Sequence, residues 1–158
     1  MLEEIKSLNL PPYDVLLIGD GSGTIATKCS AWACWRHIAQ TDKLELHCGS
    51  FSFGTNNFAE LIPYIGVLWL DYYEKPIFPR HVCIVTDSEV TAKCGNGEYS
   101  RSSNTFLWKQ VDMLQEAGYY LKWKHISRNS NRLSAACDKL AGQLRRETEK
   151  IMLTNLAD

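Results

Sequence analysis

The hydrophobic pattern of this chain changes character after its first third. Three strand-like stretches come first, and helix-like and strand-like segments then alternate. Tyr13–Asp20 (YDVLLIGD) is an apolar run that leads into the turn-type sequence Gly21-Ser22-Gly23. Cys29–Ala39 and Lys43–Gly54 are rich in aromatic and small apolar residues, and Gln40-Thr41-Asp42 suits a hairpin connection between them. From Asn56 to Tyr73 the residues Leu61, Ile65, Leu68 and Tyr72 recur at helical spacing, with Pro76 and Pro79 beyond the end. Arg80–Thr86 (RHVCIVT) reads as a strand covered on both faces. A polar loop containing Gly95, Gly97 and Ser100 follows. Thr105–Ala117 is helical through Leu107, Val111 and Leu114, with Gly118 as its stop. Tyr119–Ile126 alternates as a strand, and from Leu133 to about Lys150 a helix carries Leu133, Cys137, Leu140 and Leu144 on one face.

Three antiparallel strands joined to parallel ones through helical crossovers give a mixed α/β sheet. The 158 residues suit a single domain, with a core expected over residues 13–146 and short extensions on either side. No apolar run approaches the roughly 20 residues that span a bilayer, so no membrane association is expected. The opening MLEEIKSLNL has acids where a secretory leader has bases, and a soluble, cytoplasmic, monomeric protein is the expectation. The six cysteines form no C-x-x-C pair and mostly fall in apolar runs, where a free thiol packs as a small hydrophobe. A zinc site from Cys29, Cys34, His37 and Cys48 is the weaker alternative.

Net charge is −1, but its distribution is uneven. Residues 119–146 hold Lys122, Lys124, Arg128, Arg132, Lys139, Arg145 and Arg146 against Asp138 alone, a local +6 that leaves −7 on the rest. A basic segment beside an acidic remainder fits a phosphate-binding face next to a carboxylate site, and equally fits a solvated helix face.

Four acids stand where a core would not choose them. Asp20 and Asp87 each follow an apolar strand, Glu60 opens an amphipathic helix, and Asp138 lies beside the apolar stripe of the last helix. Two unit charges about 4 Å apart repel by ~4 kcal/mol at an effective dielectric near ~20. Four brought together would need protons or cations, and hard divalent ions with oxygen ligands meet that need. Each acid also has an ordinary role open to it. Asp20 could shape a turn, Glu60 could complete a capping box from Asn57, Asp87-Ser88 could cap the next segment, and Asp138 could pair with Arg145 or Lys139. Their order along these elements is what favours a shared site.

That order resembles the ribonuclease H family. Asp20-Gly21-Ser22, Thr55-Asn56-Asn57-Phe58-Ala59-Glu60-Leu61, Thr86-Asp87-Ser88, and His125-Ile126-Ser127-Arg128 with Asn131 and Asp138-Lys139-Leu140-Ala141 resemble its four motifs in sequence. Asn104-Thr105-Phe106-Leu107-Trp108 is similar to the helix before its last strand. The resemblance implies a five-stranded mixed sheet of order 3-2-1-4-5, strand 2 antiparallel, with helices on both faces. It implies that Asp20, Glu60, Asp87 and Asp138 ligate two Mg²⁺ ions, with Mn²⁺ as substitute, and that the RNA strand of an RNA–DNA hybrid is cut to leave 3′-hydroxyl and 5′-phosphate ends. It further implies that Thr55 holds a DNA phosphate, that Asn56 and Asn57 reach the minor groove, and that Gly21, Ser22 and Ser88 lie on the substrate side. Trp108 would contact the DNA strand, and Arg128, or else His125, would assist product release. An association with replication or reverse-transcription machinery is left open by the same likeness.

Three departures qualify the transfer. Pro63 follows Glu60 by three residues and removes a donor inside the helix, so a late start or a kink there is expected. Arg128 occupies the spacing at which many relatives place a histidine, and the loop between Asp87 and Asn104 supplies only Lys93 and Arg101 as bases. Two alternatives follow: a non-catalytic hybrid-binding module on the same fold, and another nuclease built on that scaffold.

Overall fold

Alternate residues of the two most apolar strands face opposite ways, which explains why neither carries a polar residue at its centre. In a computed structural model that describes residues 2–157, these strands are β1 (Val15–Gly23) and β4 (Arg80–Thr86). Val15, Leu17, Val82 and Ile84 enter one core, while Leu16, Ile18, Cys83 and Val85 enter the other. A sheet covered on both faces has no polar side to its central strands.

With β2 (Ser30–Ile38), β3 (Lys43–Phe51) and β5 (Tyr119–His125), the sheet has the order β3-β2-β1-β4-β5. β2 is antiparallel to β1 and β3, whereas β4 is parallel to β1 and β5. This is the mixed sheet and the strand order expected above. On one face lie α2 (Asn56–Tyr73), α3 (Glu89–Gly95) and α4 (Thr105–Ala117), contributing Leu61, Tyr64, Leu68, Ala92, Val111 and Leu114. On the other, α5 (Arg132–Ala157) contributes Leu133, and α1 (Leu2–Lys6) with the turn after it contributes Ile5 and Leu8. Among the described residues no helix is long and apolar enough to cross a membrane. The six cysteines are free, and all but Cys48 are buried.

Several local expectations are corrected. Gly21-Ser22-Gly23 is not a turn: β1 runs through it, paired with β2 as far as Gly23 and Ser30. Its parallel pairing with β4 stops earlier, at Ile18 and Val85. Beyond that point β1 has a neighbour on one side only, and a crevice opens between the carboxyl ends of β1 and β4, where ligands bind in open α/β sheets. The polar loop after Asp87 contains α3, capped by the Ser88 hydroxyl accepting from the Thr91 amide at 3.2 Å. Thr55, not Asn57, caps α2 by accepting from the Phe58 amide at 3.3 Å. Pro63 neither delays nor ends α2 but lies buried inside it. The last helix runs on past Lys150 to Ala157.

At the end of the sheet away from the crevice, Arg36 and Asp71 are each 1% exposed. Asp71 accepts from Arg36 at 3.1 Å, from Arg80 at 2.7 Å and from the Tyr119 hydroxyl at 2.6 Å, tying α2 to β2, β4 and β5.

Candidate active site

The crevice is where the four acids meet. Asp20 lies on β1 just past its separation from β4, and Asp87 directly follows β4. Glu60 comes from the second turn of α2 on one face of the sheet, and Asp138 from α5 on the other. Together with Gly21, Asn56 and Arg128 they line one cavity of about 260 Å³. The split itself is pinned by Tyr64, whose buried hydroxyl lies 2.8 Å from the Gly19 carbonyl and 2.9 Å from that of Val85. Tyr64 stands four residues after Glu60, so both project from the same side of α2.

Burial, and then mutual repulsion, disfavours the charged forms of Asp20, Glu60 and Asp87. Asp20 is 7% exposed, and burial, then the charge of Asp87 and that of Asp138, push its carboxyl up to about 7 against the pull of the Gly21 amide, which donates to it at 2.8 Å. Burial also raises Glu60, with Asp87 adding to the effect and the hydrogen bonds from Ser88 and Asn56 opposing it. Asp87 is raised by burial and by Asp138, while Arg128 and His125 act the other way. A divalent cation would relieve this strain, and a set of carboxylate oxygens is the donor chemistry that Mg²⁺ or Mn²⁺ takes.

As they stand, Glu60 and Asp138 are engaged by other partners. Arg128 reaches the Asp138 carboxylate at 3.4 Å, so the pairing of Asp138 is with Arg128 and not with Arg145 or Lys139. Asn56 donates to one Glu60 oxygen at 3.2 Å and Ser88 to the other at 3.4 Å. Among the described residues no three acidic, histidine or cysteine side chains already share a point fit for an ion. The donor set fits the metal; closing on one requires these long, partly exposed contacts to give way.

The remaining sequence candidates divide. Arg128 lines the cavity, whereas His125 ends β5 opposite Thr86, exposed and outside the lining. Asn57 is exposed, and its carbonyl accepts from Asn104 at 2.8 Å. Ser22 is engaged by Arg145 at 2.7 Å, which brings a base of the +6 segment to the rim of β1. Trp108 is 5% exposed, packed on Trp123 and roofed by the Arg101 guanidinium at 4.4 Å. Sequence reasoning missed Tyr64 and the contacts made by Asn104 and Arg145. The four-residue step from Glu60 was a signal for the first; the other two have partners too distant in the chain to be foreseen.

Strand order, crevice and helix placement define a ribonuclease H-like fold. The chain superimposes on the N-terminal ribonuclease H domain of a Mycobacterium tuberculosis protein, solved as a fusion with maltose-binding protein, with a TM-score of 0.73 and 15% identity over 89% of this chain and 99% of that one. It is similar to a compost-derived ribonuclease H1 in complex with an RNA/DNA hybrid, with a TM-score of 0.72 and 17% identity over 85% of this chain and 98% of the other. It is also similar to a chain of the foamy viral protease–reverse transcriptase in complex with double-stranded DNA, at 0.63 and 18% over 86% and 97%. No protein-family model matches the sequence, and no curated protein does. At these identities the likeness is one of fold.

Proposed function

We propose that this protein is a ribonuclease H, a metal-dependent endonuclease that hydrolyses the RNA strand of RNA–DNA hybrids to 3′-hydroxyl and 5′-phosphate ends. The observation that carries this reading is the lining of one crevice by acids from four separate parts of the chain, Asp20, Glu60, Asp87 and Asp138. These residues would hold two Mg²⁺ or Mn²⁺ ions, which when bound supply Lewis-acid activation of water and charge neutralisation at the scissile phosphate. Asp20 and Asp87 present their oxygens from the two strand ends, and Glu60 and Asp138 reach in from opposite faces. Arg128 rests on Asp138 and offers a cation to the departing 5′-phosphate. Thr55 and Asn56, at the amino end of α2, suit a phosphate of the uncut strand. Ser22, backed by Arg145, stands on the RNA side, where polar groups must read the 2′-hydroxyl. The foamy-virus likeness is in keeping with a partner from reverse-transcription or replication machinery.

The test is cleavage of a labelled RNA–DNA hybrid by the purified protein with Mg²⁺ or Mn²⁺, and with chelator. Cut RNA with either metal, abolished by chelator, with duplex RNA spared, is expected; an intact hybrid under both metals contradicts the reading. The Arg128–Asp138 ion pair favours one second reading, a hybrid-binding module without turnover. It predicts hybrid retention with no product under either metal.

A further inference from the structure

Pro63 is the sequence feature that the carboxylate site leaves unused. A proline within a helix has no amide hydrogen for the carbonyl four residues back, and its ring presses on that carbonyl. That carbonyl belongs to Ala59, the residue before Glu60. Facing it is Gly21, the residue after Asp20. A Cβ added to Gly21 would lie 1.8 Å from the Ala59 oxygen, 2.3 Å from its carbonyl carbon and 2.8 Å from its side chain. Backbone therefore meets backbone, and no residue but glycine fits. Gly23 repeats the contact more loosely, its added Cβ falling 2.9 Å from the Asn56 nitrogen. The end of β1 thus lies directly against the start of α2, and the Tyr64 hydroxyl secures the next step of the helix to Gly19.

We propose that Gly21 and Pro63 are a matched pair of positioning residues. The Pro63 ring tips the Ala59 carbonyl toward β1, the bare α-carbon of Gly21 receives it, and that contact sets the separation of Asp20 from Glu60. The inference rests on the cation-binding reading of these acids. An alanine at position 63 restores the amide hydrogen and draws the Ala59 carbonyl back toward the helix axis, and Glu60 withdraws with it. The helix gains a hydrogen bond while the site loses reach. Stability and cation affinity therefore move in opposite directions, which a proline with only a packing role would not produce.

The experiment is calorimetric titration of Mn²⁺ into wild type, Pro63→Ala and Gly21→Ala without substrate, with thermal unfolding in chelator and hybrid cleavage measured alongside. Pro63→Ala should unfold at or above the wild-type temperature yet bind Mn²⁺ about tenfold more weakly, the scale on which outer-shell partners act. Gly21→Ala should weaken binding at least as much; if it fails to fold, Pro63→Ala decides alone. Wild-type affinity in Pro63→Ala, a joint loss of stability and affinity, or no Mn²⁺ uptake by wild type overturns the proposal. A wild type that binds Mn²⁺ but leaves the hybrid intact removes the proposed activity, while the affinities still decide the positioning role.

Discussion

Asp20 is the residue at which the chain gives up stability for its site. Its carboxyl is raised from 3.8 to about 7 by burial and by Asp87 and Asp138, so folding favours the protonated form. That preference stabilises the protein below about pH 4 and is lost as pH rises through about 7, a change on the order of 4 kcal/mol at ~1.36 kcal/mol per unit. In chelator, denaturant unfolding of the wild type should show stability falling between about pH 4 and about pH 8. Asp20→Asn should flatten that slope and be the more stable protein at the alkaline end; an unchanged slope would contradict the electrostatic picture. Asp20, Glu60, Asp87 and Asp138 were legible in the sequence because acids in apolar surroundings stand out. Trp108 is buried, and an aromatic at helical spacing packs inward as readily as it meets a ligand.

Among the elements, α2, β4 and α4 were legible to the residue because each pairs a clear period with a clear stop. The end of β1 was not. Gly21-Ser22-Gly23 has turn composition, and only the antiparallel partner β2, whose pairing no local pattern reveals, holds it extended. For α3, a single Ser88 cap and one buried turn were too short to show a period. The buried Arg36–Asp71–Arg80–Tyr119 cluster was also invisible, since its members lie on four elements and each reads locally as a surface polar residue. It makes a testable claim about how these elements are joined. Asp71→Ala leaves Arg36, itself 1% exposed, with only the rim carboxylates Glu45 and Glu74. Urea unfolding should show a loss of about 3 kcal/mol or more, as when one partner of a buried pair is removed. A loss under about 1 kcal/mol would class the cluster with exposed ion pairs.

Over the whole molecule, two helices on opposite faces of one sheet send an acid each to the gap where β1 and β4 part, and the strands supply two more. Nothing in a net charge of −1 announces this; along the sequence the charge divides into −7 on most of the chain and +6 on residues 119–146, which supply Arg128 and Asp138 to the site. The most direct measurement is hybrid cleavage, under Mg²⁺, by the wild type and by Asp20→Asn, Glu60→Gln, Asp87→Asn and Asp138→Asn, each checked for an intact fold. Residues that act as a unit fail together, so every variant should fall by roughly a hundredfold or more. Any one of them cutting at the wild-type rate would mean that the four carboxylates do not form a single centre.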